Sequence, residues 1–115
     1  MKTVEIKSAW SDEVYKVFFY RDSYESNNRL FLGLGCVGEG YCEPYADVTV
    51  NIPEAFLTGE DFEDCAFVDT NNMPNIVSWL ESNGFAKRTG MEACSGYCRY
   101  PEMKFDFEKI KPYMA

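Results

Sequence analysis

The sequence predicts an α+β fold: a curved antiparallel β-sheet of four to six strands in a meander, with one main α-helix packed across it. Three observations carry this expectation. Period-2 alternation of apolar and polar residues recurs in short runs, each bounded by Gly, Asn, Ser or Pro. Only one segment, PNIVSWLESNG, has a helical apolar period. The strand-like runs follow one another at short intervals, which favours neighbours in a meander. With 115 residues and 46% hydrophobic content, the chain is expected to form a single domain, 1–115, with one core.

Each element has its own local reason. Residues 2–7 alternate, with Val4 and Ile6 on one side, and predict a first strand. Ser11-Asp12-Glu13 forms a turn before VYKVFFYR, whose β-branched and aromatic residues predict a second. Ser26-Asn27-Asn28 supplies the Asx and left-handed geometry of a hairpin. RLFLGLGCV then sets Leu30, Leu32, Leu34 and Cys36 on one face and a face thinned by Gly33 and Gly35 on the other. Such glycines permit a bend or close packing by an aromatic neighbour.

GEGYCEP is expected to be a turn-rich link, and YADVTVNI the clearest strand. Ala46, Val48, Val50 and Ile52 point inward there, with Tyr45, Asp47, Thr49 and Asn51 on a wet face. CAFV is a short buried strand. The helix spans about 74 to 83, opened by Pro74 and closed by Gly84 at C′, with Phe85 as the hydrophobic contact of the cap. Asn71 or Asn72 is expected to cap it, with Asp69 and Thr70 bonding exposed amides. Residues 86–96 predict a loop, YCRYPEMKFDF a last strand broken or edged by Pro101, and DFEKIKP a helical turn.

Composition excludes several classes of chemistry. There is no histidine, which removes the commonest general base and every Ser-His or Cys-His nucleophile. Enzymatic work would fall to carboxylates alone, and no motif marks any of them. No phosphate-binding or cofactor motif is present. Five cysteines are an odd count in a chain without a signal-peptide pattern, so free thiols in a cytoplasmic protein are expected. Cys36 with Cys42 and Cys94 with Cys98 could be zinc pairs, but the first spacing is loose against the usual two to four residues, roughly speaking, between ligands. DTNN carries one charged residue and lacks the alternating acids of a calcium loop. No metal is therefore expected, and no apolar run reaches the roughly 18 residues of a membrane span.

Charge is the most informative bulk feature. The net value is −8, yet residues 30–86 contain ten acids and neither Lys nor Arg, while the remainder holds 11 basic and nine acidic residues. Direct nucleic-acid binding is disfavoured, because phosphate neutralisation needs clustered cations. A protein partner with a basic surface is favoured. Within the acidic middle, TGEDFED presents carboxylates around an aromatic anchor. Glu54, Glu60, Asp61, Phe62, Glu63 and Asp64 are the candidate partner-binding residues. The many aromatics could instead stack bases, a reading that the acidic balance opposes.

YADVTVNI, CAFVDTNNMP, WLESNG and SGYCRYPEMKFDFEKI, in that order, resemble a family of small uncharacterised proteins encoded on conjugative elements, plasmids and phages of gut bacteria. The likeness covers about residues 2–111, and its specific part is the series YAD-T-N, FVDTNN-P, NG and SG-C-YP-F-F. It carries no catalytic residue with it. It implies a gene neighbourhood, in which transfer and antirestriction genes are typical company. The functional expectation is a non-enzymatic inhibitor of a host defence nuclease, CRISPR-type or restriction-type, acting through its acidic surface. The alternative is an accessory adaptor or regulator of plasmid or conjugative-element maintenance.

Overall fold

The computed structural model describes residues 2–57 and 64–115. Eight strands form two antiparallel four-stranded sheets. The first contains β1 (Val4–Lys7), β2 (Val14–Ser23), β3 (Leu30–Gly38) and β4 (Tyr41–Asp47) as a meander. The second contains β5 (Thr49–Val50), β6 (Cys65–Val68), β7 (Ala86–Ser95) and β8 (Cys98–Phe105), ordered β5-β6-β8-β7. Helix α1 (Ile76–Ser82) joins β6 to β7, and α2 (Phe107–Ile110) continues into a 3-10 turn, Lys111–Tyr113.

The α+β class and the meander of the first sheet match expectation, but a single curved sheet does not. The correction lies in YADVTVNI. Its alternation is continuous, yet the chain changes sheet inside it. Asp47 is the last residue of β4 paired with β3, and Thr49 already pairs with Val68 of β6. Between them the Val48 N–H donates to the Leu32 carbonyl at 2.9 Å, while the Val48 carbonyl accepts the Asp69 N–H at 2.9 Å. Thr49 is fully buried rather than on a wet face. Its hydroxyl oxygen accepts the Leu32 N–H at 3.2 Å and lies 3.0 Å from the Tyr24 hydroxyl. A side-chain oxygen thus replaces the ladder carbonyl where the chain leaves the first sheet.

The main core lies between the inner faces. Ile6, Val17, Phe19, Leu32 and Leu34 from the first sheet meet Val68, Met103 and Phe105 from the second. A smaller cluster on the far side of the second sheet contains Phe67, Ala93 and Tyr100, covered by Ile52 and Leu57. The outer face of the first sheet is closed locally, as its glycines suggest. A Cβ on Gly35 would fall 2.3 Å from the Phe18 ring, and one on Gly33 2.4 Å from the Tyr20 ring, so each aromatic lies flat over bare backbone.

Helix α1 does not cross a sheet face; it runs along the free edge of β1. Asn75 Nδ2 donates to the Lys7 carbonyl and Trp79 Nε1 to the Glu5 carbonyl, both at 2.8 Å. The spacing fits, because four helical residues advance about 6 Å and two strand residues about 6.8 Å. The edge is therefore blocked by side chains rather than left open to another strand. Ile76 and Leu80 on the same helix enter the main core. The helix ends as predicted: Gly84 has φ +73, its N–H reaches the Glu81 carbonyl, and the N–H of buried Phe85 reaches the Leu80 carbonyl.

Two further expectations are corrected. Neither Asn71 nor Asn72 caps α1, whose N-cap is Asn75, with no side-chain cap bond because its amide is committed to β1. Residues 86–96 are not a loop but chiefly strand β7, held by pairing with β8. The ladder breaks between Arg88 and Glu92, where Gly90 takes φ +95 and the Thr89 hydroxyl donates to the buried Glu102 carboxylate.

Two outcomes test this account. Thr49→Val keeps the shape but leaves the Leu32 N–H without its buried acceptor, and should lower stability by about 1–3 kcal/mol in urea unfolding. Gly35→Ala should cost about 1–3 kcal/mol by displacing Phe18, and Phe18→Leu in the same chain should recover part of that loss.

Candidate functional site

The acidic segment enters the structure through a clamped turn. The Arg29 guanidinium donates from Nη1 to the Ile52 carbonyl at 2.9 Å and from Nη2 to the Ala55 carbonyl at 2.7 Å. Asn27 Nδ2 reaches Asn51 Oδ1 at 3.0 Å. The β2–β3 loop thus fixes the turn that exposes Glu54. Leu57 turns into the smaller core, while Phe56 points outward with 92% of its surface exposed. The aromatic anchor visible beside Glu54 is therefore Phe56, whereas Glu60, Asp61, Phe62 and Glu63 lie outside the described residues. Asp64 is half-buried, and its carbonyl accepts the Phe105 N–H at 2.7 Å. It lines an open groove of about 740 Å³ with Glu81, Lys87, Lys104, Asp106 and Glu108. Glu54 and Asp64 therefore stand in different surroundings, with no shared contact among the described residues.

A second set of acids belongs to the acidic middle without being among the predicted partner-binding residues. GEGYCEP is not a link: Glu39-Gly40 forms the turn and Tyr41 begins β4, an edge of the first sheet. Glu39, Glu43 and Asp47 are exposed along this edge. Three ion pairs occur among the described residues, Lys7–Asp12, Arg88–Glu81 and Arg99–Glu92, and none involves Glu39, Glu43, Asp47 or Glu54. These carboxylates keep their field for whatever approaches.

At one end of the same sheet, three aromatic rings converge. β3 and β4 slip register so that Leu34 opposes Ala46 and Gly35 opposes Pro44, leaving Tyr45 as the extra residue of a bulge. Its ring centroid lies 5.0 Å from that of Tyr15 on β2. The β1–β2 turn brings Trp10 to the same recess, closed by the Ser8 N–H on the Glu13 carbonyl at 2.9 Å and by the Trp10 N–H on the Ser8 hydroxyl at 3.1 Å. Tyr15 donates its hydroxyl to the Glu13 carboxylate. The recess holds about 250 Å³, with Met73, Asn72 and Ala46 among its lining residues. A tryptophan in a turn and a tyrosine in a bulge leave no periodic signal, so the sequence could not mark this site.

DTNNMP forms the wall facing Trp10. Asp69 accepts both the backbone N–H of Asn72, at 3.2 Å, and its side-chain amide, at 2.8 Å. Asp69 therefore does bond an exposed amide, in a turn that precedes the helix. The two cysteine pairs are held apart by register. Cys36 opposes Glu43 while Cys42 opposes Val37, one residue away on the ladder and so on the other face. Cys94 opposes Arg99 and Cys98 opposes Ser95, which divides that pair in the same way. No group of three or more metal-ligating side chains occurs among the described residues. No helix among them is long and apolar enough to cross a membrane.

Several tyrosines hold their protons more firmly than a free phenol. The hydrogen bond to Glu13 raises Tyr15, with burial second. Burial raises Tyr24, partly offset by its bond to Thr49. Burial likewise raises Tyr20 and Tyr45. A folded value above the unfolded one means that the stability these groups support is complete below the unfolded value, about pH 10, and is lost as pH rises through the raised folded values. Urea midpoints should therefore fall on the alkaline side of that point, and Tyr24→Phe should make the fall shallower.

Neither the curated proteins nor the solved structures contain a match to this chain. A family model does match, over residues 20–115, from within β2 to the end of the chain. The chain therefore belongs to the family described as Domain of unknown function (DUF4313).

Proposed function

We propose that this domain is a non-enzymatic inhibitor from a mobile element, which docks its acidic surface on a basic region of a host defence nuclease of the CRISPR or restriction type. The observation that supports this reading is the set of exposed carboxylates that form no ion pair among the described residues: Glu39, Glu43 and Asp47 along β4, and Glu54 beside exposed Phe56. An enzyme that grips nucleic acid offers Lys and Arg spaced for phosphates, and carboxylates on a rigid sheet edge compete for those cations. The mobile-element setting comes from the sequence resemblance given above. Glu60, Asp61, Phe62 and Glu63, which lie outside the described residues, add acidic charge in sequence between Glu54 and Asp64.

The test uses the purified domain and a purified defence nuclease, with binding measured at low and high salt. Binding should weaken steeply with salt, and reversing Glu43, Asp47, Glu54 and Asp64 to Lys should weaken it roughly tenfold or more. Absence of binding, or binding unchanged by the reversal, overturns the nuclease-inhibitor reading. Capture of a transfer or maintenance protein in place of a nuclease would move the domain to the adaptor class.

A further inference from the structure

We infer that the recess between Trp10, Tyr15 and Tyr45 is a receptor for one arginine side chain of the protein partner. The argument begins with its shape. A volume of about 250 Å³ lies below the roughly 300–1,000 Å³ of pockets that enclose drug-sized ligands, and it suits a single side chain. Its walls are aromatic: the Tyr15 and Tyr45 rings stand 5.0 Å apart at an interplanar angle of 48°. Trp10, in the turn above them, keeps 76% of its surface exposed.

Charge then selects the occupant. The Glu13 carboxylate accepts the hydroxyl of Tyr15, a lining residue of the recess, and the Glu13 N–H is bonded to Ser11 Oγ at 3.3 Å. Register places Glu43 opposite Cys36, on the face of the sheet that turns toward Tyr15 and Tyr45. Lys7, at the end of β1, is paired with Asp12 at 3.6 Å. An apolar plug would strip water from these carboxylates without replacing it. A guanidinium answers both features, since its flat face stacks on aromatic rings and its N–H groups fork to a carboxylate.

The recess is also preorganised. The turn bearing Trp10 is tied by two serine hydroxyls and a backbone bond across its base, and the opposite wall by Asp69 and by the Asn75 amide on Lys7. Little ordering remains to be done on binding. Trp10, Glu13 and Tyr15 precede the span that the family model matches, whereas Tyr45 and Met73 lie within it. The inference rests on the proposed basic partner only for the source of the arginine; the receptor itself is tested without that partner.

The probe is Nα-acetyl-arginine N-methylamide, titrated into the full chain while the Trp10 indole N–H is followed by NMR. The control is the citrulline analogue, which keeps the shape and lacks the charge. The arginine probe should give a saturable shift at Trp10 and the citrulline probe none. Glu13→Gln, followed at Trp10, and Trp10→Ala, followed at the Tyr45 ring signals, should each weaken arginine binding roughly 3- to 30-fold, the range that one cation–π or charge-assisted contact covers. Both sites are exposed, so folding is checked by the unchanged Trp79 indole signal. No saturable shift, or an equal one with citrulline, overturns the inference. Saturation by arginine together with nuclease binding that Trp10→Ala leaves intact would show a receptor outside the proposed interface, overturning the assignment of that arginine to the partner. If charge reversal at Glu54 and Asp64 proves inert while the probe still binds, the recess stands and the acidic-surface reading fails alone.

Discussion

The two sheets are held in relation by one hydroxyl. At Leu32 the backbone must satisfy a donor and an acceptor just where its neighbour strand departs. Val48 takes the carbonyl through its N–H, and Thr49 takes the N–H through its side chain. Thr49 is thereby released to pair with Val68, and the next carbonyl, that of Val48, is free for Asp69. Everything downstream inherits this geometry. The 52–55 turn meets Arg29 because Val50 leaves the second sheet beside the β2–β3 loop. The Asp69 turn stands opposite Trp10 because its first N–H is tied to the crossing point. A strand that simply continued along β3 would present none of these contacts.

This dependence explains which parts of the structure were legible in the residues. β1, β2 and β3 announce themselves because alternation, aromatic content and Asn turns all act within a few residues of each other. The Gly84–Phe85 helix end is legible for the same reason. Alternation reports which face a residue occupies, but not which sheet the strand belongs to, so 45–52 gave no sign of its division. Thr49 illustrates the cost: a polar residue on the expected wet face is fully buried because its hydroxyl has two partners far away in sequence. β7 illustrates the opposite case. AKRTGMEACS has no strong period, and the ladder with β8 imposes extended structure on it. The acidic span was legible as charge alone; the positions of Glu43 and Asp47 on an edge, and of Tyr45 in a bulge, are products of pairing.

The four outer strands of the two sheets meet different fates, and the contrast bears on function. β1 is sealed by Asn75 and Trp79 of α1. β5 is too short, at two residues, to recruit another strand. β7 is broken by its bulge. Among the described residues β4 has no covering element, and it carries Glu43, Pro44 and Asp47 on either side of the Tyr45 bulge. Pro44 removes a donor from the ladder and the carboxylates repel a second acidic edge, which are known means of keeping an edge strand from self-pairing. These acids therefore have a structural use that requires no partner.

The two uses make different demands on the charge. Edge protection needs a solvated ion at each position, and lysine serves as well as glutamate, because either sign repels its own copy. Complementarity to a basic surface needs the negative sign itself. Lysine at Glu43 and Asp47 should therefore leave the domain folded and the edge unpaired with a second copy while eliminating attraction to a cationic partner. Glutamine at the same positions would weaken both, so sign reversal isolates recognition where neutralisation cannot. The same logic extends to the recess beside the strand. Glu13 is not on an unprotected edge, since β1 lies between it and α1, so edge protection does not account for a carboxylate held there against Tyr15. A fixed negative charge beside Tyr15 favours a cation over any neutral group of equal size.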